Sequence, residues 1–141
     1  MTSEISSGAG LLPAHLFDQA LRSVATVRGG RQFLEEISKI FDCDLPELLS
    51  RLNESESVVV AFADDAPVGF SIATSLLGRS TMLAVYVRPD SRRRGIASHL
   101  LRQALLTSGV VDAWALPGDR ATKSLFEASR LKARRLTMSV E

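Results

Sequence analysis

Between a strand-like run and a helix-like run, the chain carries Arg88-Pro89-Asp90-Ser91-Arg92-Arg93-Arg94-Gly95-Ile96-Ala97. The residues before it, Leu83 to Val87, are apolar and partly β-branched. Those after it place Ile96, Leu100, Leu101, Ala104 and Leu105 at helical spacing. A helix that opens at Gly95 presents first-turn N–H groups with no internal partners, and its dipole favours negative charge there. Gly95 lets a bulky anion approach the backbone, and Ala97 keeps the following turn bare. The chemistry this predicts is capture of a pyrophosphate by main-chain hydrogens, with arginine around it. One charge-assisted contact of this kind contributes about 1.5–3 kcal/mol. A basic, solvated loop feeding a core helix is the plainer alternative. The segment is neither a phosphate loop ending in Gly-Lys-Ser/Thr nor a dinucleotide Gly-x-Gly-x-x-Gly fingerprint.

The elements that must position this loop follow from periodicity. Small polar residues at 1–12 predict a flexible N-terminus, and residues 13–141 predict a single domain. Pro13 to Arg28 has apolar positions at Phe17, Ala20, Leu21, Val24 and Val27, a helix closed by Gly29-Gly30. A second helix places Phe33, Leu34, Ile37, Ile40 and Phe41 on one face, and a short helical stretch runs through Pro46, Leu48 and Leu49. From Ser57 the pattern changes. Val58 to Ala63 and Val68 to Thr74 flank Asp64-Asp65-Ala66-Pro67 and predict a hairpin. Further strands are expected at Thr81–Val87, Val110–Ala115 and Leu136–Val140. Helices are expected from Arg94 to Thr107 and from Asp119, as cap, to about Arg130. Helices followed by strands alternating with helices indicate one α/β or α+β domain with a mixed sheet.

Composition narrows the class. The chain has 141 residues, 45% of them apolar and 23% charged, the profile of a globular domain. Its single cysteine, Cys43, excludes an internal disulfide and a disulfide-stapled module. No apolar run reaches the ~18 residues that a spanning helix needs, so a cytoplasmic protein with no membrane partner is expected. The net charge of +1 hides an asymmetry: residues 1–70 carry five basic and eleven acidic side chains, and residues 71–141 carry twelve and five. The basic half could serve an anionic partner, or the halves could neutralise one another in the fold. Near-neutral total charge and scarce aromatics argue against nucleic acid.

Strand, Val-x-Pro, Arg-x-x-Gly-x-Ala and helix with Leu-Leu together resemble the acetyl-CoA signature of the GNAT superfamily of N-acetyltransferases. Arg92, Gly95 and Ala97 fill the fixed positions. The likeness extends over the element order of residues 56–141. It implies a GNAT-like fold: a mixed, mostly antiparallel sheet with a splayed pair of parallel strands, helices on both faces, and a first strand for which the sequence before Pro13 gives no sign. It implies acetyl-CoA as acyl donor, with no metal, and a primary amine, on a small molecule or a protein, as acceptor by direct attack in a ternary complex. Val85, Tyr86 and Val87 would line a cleft for pantetheine, bonding it as an added strand does. An N–H near Val85 or Tyr86 would polarise the thioester carbonyl. Backbone amides from Arg93, Arg94, Gly95, Ile96 and Ala97 would hold the pyrophosphate. Arg92 or Arg88 would face the adenosine phosphates, and Asp119 stands where the family often has an asparagine that reaches the pantetheine arm.

The catalytic pattern departs from the family. The tyrosine that often serves as acid falls at Phe126, and a glutamate that serves some members as base falls at about Thr81. Other titratable candidates are Tyr86, the only tyrosine, and His15, His99 and Asp112, with Trp114 on the strand lining the cleft. The acidic first half fits a cationic acceptor drawn to the mouth of the site. Two readings stay open: an N-acetyltransferase, and a GNAT-like module that binds acyl-CoA as a regulator without turnover. The final strand could pair across a homodimer.

Overall fold

The computed structural model describes residues 5–9, 11–55, 57–76, 78–92, 95–110, 112–115 and 132–135. Six strands form one sheet in chain order: β1 (Ile5–Ala9), β2 (Val58–Ala63), β3 (Ala66–Leu76), β4 (Arg79–Val87), β5 (Asp112–Ala115) and β6 (Lys132–Arg135). Pairing is antiparallel from β1 to β4 and parallel for β4–β5 and β5–β6. Helices α1 (Ala14–Ala25), α2 (Gly30–Ile40) and α3 (Leu48–Glu54) connect β1 to β2, and α4 (Ile96–Ser108) carries the chain from β4 to β5.

Alternation along the strands sorts side chains onto two helical layers. Val58, Val60, Phe70, Ile72 and Tyr86 pack against Leu16, Phe17, Phe33, Ile37, Leu48 and Leu52 of α1, α2 and α3. The opposite face sets Ala61, Ala63, Val68 and Val87 against Ile96 and Leu100 of α4, and Met82 and Ala113 against Leu101 and Ala104. The expected mixed sheet with helices on both faces is what the chain forms.

One expectation about the ends is corrected. Residues 1–12 do not all form a loose leader: Ile5–Ala9 is a strand registered on β2, from Ile5 opposite Ala63 to Ala9 opposite Val59. Its residues, Ile-Ser-Ser-Gly-Ala, have little β preference of their own, so the strand is specified by the free edge of β2, a partner some fifty residues on. Leu12 is 2% exposed, its N–H donating to Asn53 Oδ1 at 2.7 Å while Asn53 Nδ2 donates to the Leu12 carbonyl at 3.3 Å. At the other end, the described strand is Lys132–Arg135, upstream of the expected 136–140, which lies outside the described residues together with the helix expected from Asp119.

Local turns follow the chemistry of their residues. Asp64 and Asp65 take φ of 52° and 67°, so the hairpin turns on these two residues alone, and Ala66 and Pro67 join β3. At the elbow from α1 to α2, Gly30 donates to the Val27 carbonyl at 2.9 Å. A Cβ on Gly30 would stand 1.8 Å from the Val24 carbonyl oxygen, so no side chain fits between the helices there.

One irregularity shapes the centre of the sheet. Ile72 lies opposite Ala84 and Ala73 opposite Met82, which leaves Leu83 as an extra, unopposed residue in β4. A bulge increases local twist and bends its strand. Immediately before it, β4 and β5 share two paired positions, Thr81 with Asp112 and Met82 with Ala113, and no pairing continues from there. The two parallel strands therefore separate toward their C-terminal ends. The Arg79 guanidinium holds the base of the fork, with Nε at 2.5 Å and Nη2 at 3.4 Å from the Asp112 carboxylate oxygens. Arg79 is half-exposed, whereas the Asp112 side chain is 7% exposed.

That asymmetry sets an order of effects, because removing the exposed partner leaves a buried carboxylate without its arginine. Arg79→Ala should lower Tm more than Asp112→Asn in thermal melts at neutral pH. The opposite order would mean that the pair does not anchor β5.

Candidate functional site

The site is built from the end of β4 onward. Arg88 N–H donates to the Val68 carbonyl at 2.8 Å, which fixes the alternation of β4. In an antiparallel pair every second residue gives both main-chain groups to its partner strand. Ala84, Tyr86 and Arg88 thus face β3, while Val85 and Val87 present their N–H and C=O groups to the open side of the fork. The Val87 carbonyl is engaged there by Arg92, whose Nε donates to it at 3.0 Å. Between them, Pro89–Ser91 forms a 3-10 turn in which Arg88 bonds Asp90 at 3.0 Å and the buried Ser91 hydroxyl donates to Asp90 Oδ1 at 3.3 Å. Arg92 is therefore held at the mouth of the fork by a bond that uses one donor of its guanidinium.

Gly95 precedes α4 with φ 79°, in the left-handed region that glycine occupies without penalty. A Cβ there would meet nothing within 4 Å, so the space over the helix start is open. No side chain caps α4, and its first internal bond runs from His99 N–H to the Gly95 carbonyl at 3.0 Å. The N–H groups of Ile96, Ala97 and Ser98 precede that first bond and form the uncapped turn. The cradle is not plugged by a described side chain.

A cavity of about 650 Å³ runs from Gly95, Ile96, Ala97 and Ser98 past Arg92, Val85 and Tyr86 into a chamber between α1, α2 and the sheet. The structure thus brings together Val85, Tyr86, Val87, Arg92, Gly95, Ile96 and Ala97 of the expected set on one cavity. Arg93, Arg94, Asp119 and Phe126 lie outside the described residues. A second, more open cleft of about 400 Å³ is bordered by Tyr86 together with Gln19, Arg22, Ser23, Arg88 and Asp90. Gln19 Oε1 is buried and has no hydrogen-bond partner.

Several titratable candidates settle into structural roles. Tyr86 is 9% exposed, with its ring 5.9 Å from that of Phe70; burial pushes its phenol pKa up, against the pull of Arg92 and Arg88. The phenol is protonated at neutral pH and is no base. Thr81 is buried and its hydroxyl donates to the Arg79 carbonyl at 3.2 Å. Asp112 is the partner of Arg79, and Trp114 packs edge-on to Phe33 at 6.1 Å. His15 and His99 border neither cavity. No described carboxylate of residues 1–70 borders either cavity. Among the described residues, the charged ones that border the cavities are Arg22, Arg88, Asp90 and Arg92. No group of metal-ligating side chains occurs among the described residues. None of the described helices is long and apolar enough to cross a membrane.

Sequence reasoning missed the chamber. Phe17, Leu21, Val24, Phe33 and Ile37 were legible as inward helical stripes, and inward stripes signal a packed core unless the layers stand apart.

Comparisons with known proteins agree with this geometry. No functionally curated protein matches the sequence. Among solved structures, the fold is similar to a ribosomal-protein-alanine N-acetyltransferase from Brucella melitensis biovar Abortus 2308, with 22% identity, TM-score 0.61, and coverage of 100% of this chain and 99% of that one. A diaminobutyrate acetyltransferase from Paenibacillus lautus, in complex with L-2,4-diaminobutyric acid and coenzyme A, is 19% identical with TM-score 0.58 and covers 90% of this chain and 75% of its own. A transcriptional regulator from Bacillus halodurans C-125 is 15% identical with TM-score 0.62, covering 99% of each chain. Residues 54–133 match the family model of the acetyltransferase (GNAT) domain. That match covers more than half of the sequence and includes the forked strands and the helix cradle, and by it the chain belongs to the GNAT acetyltransferase family.

Proposed function

We propose that this chain transfers an acyl group from a coenzyme A thioester to a primary amine, both bound together in the fork of β4 and β5. The observation that carries the reading is the uncapped start of α4 at Gly95, placed at one end of a cavity whose wall includes the open edge of β4. The main-chain N–H groups from Arg93 to Ala97 hold the diphosphate, and Arg92 stands beside it. Asp119 is assigned to the pantetheine arm. Val87 N–H and Val85 C=O, both on the open edge, bond the pantetheine amides as a strand would. The alternation of β4 favours Val85 over Tyr86 as oxyanion donor, because Tyr86 N–H is turned toward β3. When bound, the donor supplies a thioester carbonyl that the amine attacks, forming an amide and releasing a thiol.

Among the described residues that border the cavities, no free carboxylate or imidazole stands ready as a base. Asp90 is paired with Arg88, and Tyr86 holds its proton. On this reading the acceptor amine arrives deprotonated, and its own pKa governs the rate.

Two outcomes test the reading. Coenzyme A should raise Tm of the full chain, and Gly95→Ala, which forces a side chain into the left-handed region, should weaken coenzyme A binding at least tenfold in calorimetric titration. Absence of any coenzyme A effect on the unaltered chain would sink the proposal. In thiol-release assays against an amine panel, kcat/KM should rise about tenfold per pH unit up to the pKa of each acceptor: near ~8 for an α-amine and near ~10.4 for a lysine amine. One inflection common to both acceptors would reveal a base on the enzyme. Binding without thiol release from any amine would leave an acyl-CoA-binding module in place of an enzyme.

A further inference from the structure

The part of the cavity away from Gly95 has a chemistry of its own. Phe17, Leu21, Val24, Phe33, Ile37 and Phe70 wall it with aliphatic and aromatic surface. Among the described residues that line the cavity, the one charged side chain is Arg92, and it stands at the diphosphate end. The other charged side chains are on the second cleft, which Arg22, Arg88 and Asp90 border. Among the described residues, the two spaces share Ser23 and Tyr86.

We propose that the apolar chamber receives the acyl chain of the donor, so that this protein uses medium-chain acyl-CoA in preference to acetyl-CoA. This rests on the acyl-CoA reading above. A ligand with a diphosphate at one end and an apolar tail at the other matches a single cavity that is a hydrogen-bond cradle at one end and hydrocarbon at the other. The amine is the partner for the polar cleft, whose border carries the Asp90 carboxylate. An amine carried into the chamber would find no counter-charge and no hydrogen-bond acceptor among those six walls, at a substantial desolvation cost. The chemistry is unchanged by chain length. The carbonyl carbon gains a bond to nitrogen and loses its bond to sulfur, and one proton of the neutral amine ends on the released thiol.

Chain length has a measurable signature in binding alone. Each methylene withdrawn from water tightens binding about fourfold. Calorimetric titration of the full chain with coenzyme A, acetyl-CoA and hexanoyl-CoA, without acceptor, should show hexanoyl-CoA binding at least tenfold more tightly than acetyl-CoA. Val24→Phe, which narrows the chamber from a half-buried position, should reduce that ratio to near one. Equal affinity of the unaltered chain for hexanoyl-CoA and acetyl-CoA, with coenzyme A still bound, overturns the chamber assignment and leaves the acyl-transfer reading standing. Failure of coenzyme A itself to bind overturns both. Thiol release that favours apolar amines while ignoring acyl length assigns the chamber to the acceptor and likewise overturns the inference.

Discussion

The site depends on a single surplus residue in a strand. Leu83 has no counterpart on β3, and the twist it introduces turns β4 away from β5 just after their two shared positions. Without the bulge, two parallel strands would continue side by side and satisfy one another's backbone. With it, Val85 and Val87 keep polar main-chain groups on an edge inside the protein, where a buried polar group without a partner is costly. The cost is offset in part by Arg92, which takes the Val87 carbonyl, and the remainder is the affinity on offer to a ligand. The same arginine thus links the forked strands to the loop that leads into the helix cradle.

Attachments around the fork keep it from closing. Arg79 and Asp112 bind the strands at the base, while Pro89–Ser91, stitched by Arg88 and Asp90, sets the path into Gly95. On the far side, α1 and α2 pack on the sheet through Phe17, Phe33 and Ile37, yet leave hydrocarbon-walled space beside that contact. Tyr86 and Ser23 border both the apolar space and the charged cleft.

The helical stripes, the hairpin and the arginine loop ending on Gly95 were legible because each is a local pattern: a period, a turn dipeptide, a positive-φ glycine. What was hidden is non-local. Ile5–Ala9 has no strand signature and forms because β2 offers an edge. The bulge at Leu83 leaves no mark in an apolar run, since Leu83 and Ala84 read as two more buried positions. The chamber uses the same residue types as a filled core, so Phe17 and Val24 could not announce that they border a void. The charge asymmetry of the halves was real, but composition says nothing of orientation, and the described carboxylates of the first half do not border the cavities.

The elbow at Gly30 has a bearing on how such a chamber could change over evolutionary time. With the Val24 carbonyl occupying the space a Cβ would need, α1 and α2 meet backbone to backbone and cannot hinge apart without losing that contact. The girth of the void is then adjustable only by exchanging side chains along the inner faces, one methyl or ring at a time. Divergence in selectivity along this lineage would be written in residues such as Leu21, Val24 and Phe33, while the joint itself stays glycine.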